Sequence, residues 1–352
     1  MDAALQHALQ RQLNRWQFFA PCPGANVTII DSLRGTWHGA SGHADIDTLA
    51  AMTPNASSYI YSITKTFTAV RILQLSERGA LALDDQVAAH LPELEKLPAI
   101  SIRQLLNHTA GIPSYTDLLD YLPANRKSPS VPWTYDEILK LCCSGKMDFA
   151  PGEGWHYSNT GYMLLRRLIE KISNLSFADS IKLRIAAPLG LKKTYVATAV
   201  DAGTLTPGYC PYLNEEEVMQ DVMRFYHPGW CLTGLIVSST EEIARFYAAL
   251  FERQLIGAAS LEEMTAWVPT VGAPHPFFVK PGYGLGLMID PGWKYGGFHG
   301  HGGDGPGFNT FAAHFPDFHG RAVTMVVFCN ATIGSHPFKL VKSLLRVLEQ
   351  DA

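Results

Sequence analysis

Ser62-Ile63-Thr64-Lys65 follows the aromatic run Tyr59-Ile60-Tyr61 and leads into a segment carrying Phe67, Val70, Ile72, Leu73 and Leu75. Apolar residues at that spacing predict a helix opening near Ser62. One helical turn then puts the Ser62 hydroxyl and the Lys65 amine on the same face. Serine is a weak nucleophile at its ordinary pKa and needs a nearby base, which a lysine withdrawn from water can supply. A helix-capping serine followed by a solvated lysine would spell the same four letters. The apolar helix behind them instead points Lys65 into a packed region, so the pair is a candidate catalytic dyad. No second Ser-x-x-Lys occurs in the chain.

The 352 residues exceed one average domain, and 47% hydrophobic against 17% charged residues favours a large buried core over disorder. A net charge of −4 with scattered basic residues leaves no electrostatic footprint for nucleic acid. No apolar run is long enough to span a membrane. Met1 to Ala20 reads as an amphipathic helix, with Leu5, Leu9, Leu13 and Trp16 on one side, and lacks the apolar core of a secretory leader. A cytoplasmic protein is expected, although a processed secreted form would look similar. Cys22, Cys142, Cys143, Cys210, Cys231 and Cys329 show no metal-ligand spacing and are too few for a disulfide framework, so free thiols are the expectation.

Asn26 to Asp31 and Leu33 to His38 read as a hairpin. From Ser62 to about Arg184 the pattern is helical, broken by Pro- and Gly-rich loops, with a turn and short helix over Leu81 to Leu94 and longer helices over Thr134 to Leu141 and Gly161 to Ile172. Strand character returns at Gly284 to Asp290, Phe308 to Phe315 and Ala322 to Cys329, and Phe338 to Leu348 closes the chain as an amphipathic helix. The expected class is α/β of the α+β kind: an antiparallel sheet built from both ends of the chain and flanked by the terminal helices, plus an all-helical lobe. The sheet domain comprises residues 1–60 and 235–352, the mainly helical domain 61–234, and the cleft lies at their seam beside Ser62. The loops Tyr121 to Pro132 and Pro269 to Pro281 are expected to shape it.

Two further stretches carry chemistry. Tyr157-Ser158-Asn159 lies between a Gly/Pro-rich loop and a helix, where a phenol and an amide two residues apart can both reach a cleft. Tyr157, beside Lys65, can relay protons, and Asn159 can hydrogen-bond substrate and orient the lysine. A buried tyrosine with an Asn-stabilised turn is the structural alternative. Gly300-His301-Gly302-Gly303-Asp304-Gly305-Pro306-Gly307 contains G-x-G-x-x-G, but a strand follows where a dinucleotide site needs a helix. Glycines such as Gly303 instead let substrate approach an edge strand, with the Asp304 N–H facing a carbonyl oxygen and His301 supplying positive charge or a hydrogen bond. His299-x-His301 lacks a third ligand for a metal, and no G-x-S-x-G elbow is present.

Taken together, these pieces resemble the serine β-lactamase and penicillin-binding-protein-like family, of the class C β-lactamase and D-alanyl-D-alanine carboxypeptidase type, with its family VIII-type esterase relatives. The resemblance covers nearly the whole chain. It takes in Leu105-Leu106-Asn107-His108-Thr109-Ala110-Gly111-Ile112, Phe149 to Gly161, Ala187-Pro188-Leu189-Gly190-Leu191, Gly234 to Phe246, Tyr283-Gly284-Leu285-Gly286 and His301 to Phe308. It implies Ser62 as the acyl-accepting nucleophile, Lys65 as its activating amine and Tyr157 as general acid/base. It further implies Asn159 as a substrate and lysine contact, an oxyanion hole from the N–H groups of Ser62 and Asp304, and Trp230 near a pocket aromatic, with ordinary core packing as the alternative for Trp230.

Two departures bear on substrate. Class C β-lactamases have lysine where His301 stands, and relatives that bind a free carboxylate commonly have threonine or serine where Gly302 stands. A neutral imidazole anchors an anion less well than an ammonium, and glycine offers no hydroxyl. Loss of such contacts lowers affinity for penicillins and C-terminal D-amino acids by about 1 to 3 kcal/mol. The expected activity is a serine hydrolase working through an acyl-enzyme on a small ester or amide, without metal or organic cofactor. Carboxylesterase comes first, D-stereospecific peptidase or amidase second, and class C-like β-lactamase third. Acyl transfer to another acceptor and a catalytically silent scaffold complete the alternatives.

Overall fold

The computed structural model describes residues 1–201, 203–270, 278–332 and 337–350. Helix α1 (Ala3–Phe19) is capped by the Asp2 carboxylate, which accepts from the Leu5 N–H, and buries Leu5, Leu9 and Leu13 on one side. The predicted hairpin is β1 (Gly24–Asp31) with β2 (Gly35–Gly42). Strand β3 (Ser57–Tyr59) passes through a 3₁₀ turn, Tyr61–Ile63, into α2 (Thr64–Glu77). The helical region continues with α3 (Val87–His90), α4 (Ile102–Leu106), α5 (Tyr121–Lys127), α6 (Tyr135–Cys143), α7 (Asn159–Ser173) and α8 (Phe177–Ile181). Short strands β4 (Tyr195–Val196), β5 (Tyr209–Cys210) and β6 (Gln220–Asp221) precede β7 (Ile236–Ser239), α9 (Thr240–Phe251) and α10 (Ala258–Thr265). The chain ends through β8 (Val268–Pro269), β9 (Gly282–Tyr283), β10 (Met288–Asp290), β11 (Phe298–Gly305), β12 (Phe308–Phe315), β13 (Val323–Cys329) and α11 (Pro337–Gln350).

Among the described residues the main sheet is antiparallel throughout, in the order β2-β1-β13-β12-β11-β10-β9-β8. Strand β13 lies between β1 and β12, with Val27 opposite Val327 and Ala312 opposite Val326, so the two ends of the chain form one sheet as expected. Alternation along the strands sends Val27, Phe311 and Val327 to the face covered by α1 and α11, and Ala312, Val326 and Phe328 to the opposite face and the helical core. All seven residues of β13 are buried, which is why its sequence reads as a nearly continuous apolar run. Each buried Val, Met or Phe side chain there contributes roughly 1.5–3 kcal/mol through loss of water contact.

One expected strand is divided. Gly284 to Asp290 is not continuous, because Gly284 to Leu287 turn between β9 and β10. Leu285 and Leu287 are buried by packing into the helical core rather than by strand pairing. The turn presses on α2: Gly286 has φ +72°, a Cβ there would stand 2.6 Å from that of Ala69, and its carbonyl accepts from the Thr66 hydroxyl at 2.8 Å. No helix among the described residues is long and apolar enough to cross a membrane.

Candidate active site

Ser62 sits just outside the helix predicted to open on it. Helix α2 starts at Thr64, and Ser62 occupies the preceding 3₁₀ turn. Tyr61 carries a left-handed φ of 45°, unusual for a residue with a side chain. Its hydroxyl donates to the Pro306 carbonyl, tying the turn to the end of β11. The Ser-x-x-Lys spacing nevertheless brings the two side chains together, with Lys65 Nζ donating to Ser62 Oγ at 3.2 Å.

Lys65 is 1% exposed. Its amine donates to Asn159 Oδ1 at 2.7 Å and lies 4.7 Å from the Tyr157 ring centroid and 5.4 Å from that of Tyr162. Loss of water with no carboxylate nearby to offset it holds the ammonium down to about 7. Tyr157 immediately precedes Ser158, the N-cap of α7, whose hydroxyl accepts from the Gly161 N–H. Asn159 therefore opens the helix, and its Nδ2 donates to Thr116 Oγ1 at 2.9 Å, which fixes Oδ1 toward the lysine. Burial raises the Tyr157 phenol well above its ordinary value, and a hydrogen bond with Ser62 lowers it in part.

Strand β11 is internal to the sheet only along its first half, since β10 pairs no further than Met288 with Gly300. Beyond that point its free side is an edge facing the Ser62 turn. The two-residue turn Pro306–Gly307 makes Gly305 and Phe308 a hydrogen-bonded pair. Antiparallel alternation then directs the Gly302 and Asp304 N–H groups away from β12, toward that open edge. Gly303 is required by contact, because a Cβ there would come within 2.2 Å of the Ile60 carbonyl oxygen.

His301 is fully buried, with Tyr283 Oη 2.8 Å from Nε2 and the Gly302 carbonyl 2.5 Å from Nδ1. A carbonyl only accepts, so Nδ1 carries the proton and Nε2 accepts from the tyrosine. Burial, with the nearby Lys65 charge, holds the imidazolium down to about 3. Of the two expectations for His301, positive charge or a hydrogen bond, its burial and its bonds to Tyr283 and the Gly302 carbonyl favour the hydrogen bond from a neutral ring.

These elements enclose a cavity of about 660 Å³ lined by Ser62, Tyr157, Asn159, His301, Gly303 and Asp304 together with aromatic side chains. Trp230 does not line it, which corrects its placement among substrate contacts. Its indole is buried against Tyr121 and Trp133 and donates to the Pro129 carbonyl at 3.1 Å, so it supports the wall from behind. Tyr121, Leu122 and Asn125, in the segment expected as the first pocket loop, line the cavity from helix α5 rather than from a loop. In the second, residues 271–277 lie outside the described residues. No group of three or more metal-ligating side chains occurs among the described residues.

The sequence motifs left His108 without a role. Its buried ring packs 4.4 Å from Tyr157 and 4.5 Å from Tyr283, and Nδ1 accepts from the Ser158 N–H at 3.0 Å, so it braces the Tyr157 turn. Its place in Leu105 to Ile112 was the available signal, but nothing local in that stretch tells which way the ring points.

Fold and site together define a penicillin-binding-protein-like serine hydrolase class, with Ser62, bonded to Lys65, and Tyr157 lining one cavity. The chain belongs to the Beta-lactamase family, whose model matches residues 18–346. Penicillin-binding protein 4* of Bacillus subtilis is 31% identical over 313 residues, which are 83% of this chain and 66% of that protein, so the chain spans just under two thirds of that relative. Among solved structures, a D-stereospecific amidohydrolase from Streptomyces sp. is 30% identical with a TM-score of 0.83, covering 97% of this chain and 98% of the other. D-amino acid amidase from Ochrobactrum anthropi SV3, complexed with L-phenylalanine amide, is 25% identical with a TM-score of 0.86 and 99% coverage of both chains.

Proposed function

We propose that this protein hydrolyses small esters and amides lacking a free carboxylate, through an acyl-enzyme on Ser62. The observation that carries the reading is the buried Lys65 amine, 3.2 Å from Ser62 Oγ and held down to about 7. Near neutral pH it is in large part unprotonated and can accept the Ser62 proton as Oγ attacks the substrate carbonyl. The negative charge that develops on the carbonyl oxygen is met by the N–H groups of Ser62, ahead of α2, and of Asp304, on the open edge of β11. Tyr157, whose raised pKa keeps it protonated, passes a proton to the leaving group. Water enters by the reverse relay and releases the acid.

Substrate class follows from charge. Neutral His301 and the absence of lysine or arginine among the described lining residues leave a substrate carboxylate without a cationic partner. Esters come first because alcohols leave more readily than amines. Amide hydrolysis is the second reading, favoured by the likeness to the Streptomyces amidohydrolase and the Ochrobactrum amidase.

A panel of p-nitrophenyl esters, amino-acid amides and a chromogenic cephalosporin, followed by mass spectrometry of trapped adducts, tests the reading. An acyl adduct on Ser62, lost in Ser62→Ala together with turnover, is the expected result. Undiminished turnover by Ser62→Ala overturns it.

A further inference from the structure

The cavity lining is mostly apolar and nearly without charge: aromatic rings, Leu122 and Met288 stand beside threonines, asparagines, neutral His301 and a single acidic side chain, Asp304. Its carboxylate sits exposed at the cavity rim on the open half of β11. It accepts from Asn309 Nδ2 at 3.4 Å, an uncharged donor. Among the described residues no lysine, arginine or histidine forms an ion pair with it. Arg126, next to the lining residue Asn125, is engaged with the Tyr212 carbonyl and with Glu217. A carboxylate in a binding cavity with no cation of its own favours a ligand that brings one.

Position narrows the ligand. In the proposed mechanism the Asp304 N–H faces the reacting carbonyl oxygen, so its carboxylate lies within a few bonds of the reacting carbon. An ammonium on the α-carbon of an acyl group stands at that range. The surrounding rings of Tyr61, Tyr121, Tyr212 and Tyr226 suit an organic cation and the apolar side chain next to it. We infer that the cavity selects esters and amides of amino acids, with the free α-ammonium paired to Asp304. This inference rests on the acyl-enzyme reading above. Partial loss of water holds the Asp304 carboxyl up to about 6, which leaves it ionised at neutral pH and free to pair.

The test compares D- and L-phenylalanine p-nitroanilide with the N-acetylated compounds and with 3-phenylpropionyl p-nitroanilide, which lacks the amine, at neutral pH. Expected for the wild-type protein is kcat/KM at least tenfold higher for a free-amine substrate than for its acetylated and des-amino partners. In Asp304→Asn the ratio falls to near one, whatever the absolute rates, and Asp304→Glu retains part of the preference. Thermal melting shows that each variant is folded, and the wild-type ratio stands independently of either. Turnover through a Ser62 adduct without an amine preference, or with a preference that survives Asp304→Asn, overturns this inference alone. No turnover of any compound and no adduct overturns the acyl-enzyme reading and this inference with it.

Discussion

Gly303→Ala is the sharpest test of how the edge of β11 is set against the Ser62 turn. A Cβ at 303 would stand 2.2 Å from the Ile60 carbonyl oxygen and 2.3 Å from Thr310 Oγ1. Ordinary contact is about 3.4 Å, so strand and turn must part by roughly 1 Å in an interior with little slack. Ile60 lies two residues before Ser62, while β11 is fixed on its other side by seven register pairs with β12. The separation therefore opens between the Asp304 N–H and Ser62 Oγ, the two groups that must meet one carbonyl. A misplacement of about 1 Å costs on the order of 10²-fold in rate, and overpacking costs about 1–3 kcal/mol of stability. The neighbouring position is the control, since a Cβ at Gly302 meets nothing closer than the Phe311 ring at 3.6 Å, so Gly302→Ala keeps kcat within about threefold. Release of p-nitrophenol from the best ester gives kcat, and thermal melting gives stability. Gly303→Ala with wild-type kcat, or equal losses in the two variants, refutes the placement of this edge.

Activity rises with pH through an apparent value near 7 that belongs to the coupled Lys65–Tyr157 pair, because the amine must be unprotonated to act as base; a kcat/KM flat across neutral pH contradicts it. The buried amine also opposes folding: its folded value of about 7 lies below its ordinary 10.5, so the unfolded chain binds the extra proton between those limits and stability rises with pH across that window. Lys65→Met accordingly melts no lower than wild type at neutral pH while losing on the order of 10³-fold or more in kcat, and a large loss of stability would argue against an uncompensated buried amine. In acid, His299 and His314, held down to about 4 and 3, stay neutral in the fold but protonate when unfolded, so stability falls as pH drops below about 6.5, by roughly 3 kcal/mol per ring toward pH 4. Melting curves at stepped pH follow that fall, and His299→Leu, which removes a ring whose Nδ1 has no partner, flattens it.

Where a residue's position depends on local spacing, the sequence carried it; where it depends on packing from a distant segment, the sequence did not. Ser62 and Lys65 are one turn apart, and Tyr157 and Asn159 bracket a helix cap, so their pattern survives in one dimension. Strand β12 and the run in β13 were legible for the same reason, since apolar alternation and continuous burial are local signals. Gly284 to Asp290 misled because Leu285 and Leu287 satisfy a strand pattern while being buried in the helical core. Trp230 misled because an aromatic near a pocket motif can stand in its wall or behind it, and only the approach of Tyr121 and Trp133 decides which. The partner of His301 could not be read either, because Tyr283 reaches it from another strand of the sheet.

That neutral ring changes how the site depresses its lysine. With an ammonium at position 301, repulsion between like charges would help to keep Lys65 unprotonated. Here the nearby imidazole is uncharged, no carboxylate approaches Nζ among the described residues, and the amine contacts only Asn159 Oδ1, Ser62 Oγ and aromatic faces. Desolvation is thus the chief cause of its low pKa. The base stays poised only while Tyr157 and Tyr162 exclude water, and a substrate that fills the cavity strengthens the same effect. The Asp304 carboxylate is compatible with this arrangement because it stands at the rim, on the sheet face opposite His301. An acid in contact with Nζ would raise the amine and disable it, so the proposed selection of a cationic substrate and the proposed activation of Ser62 both require this separation across one strand.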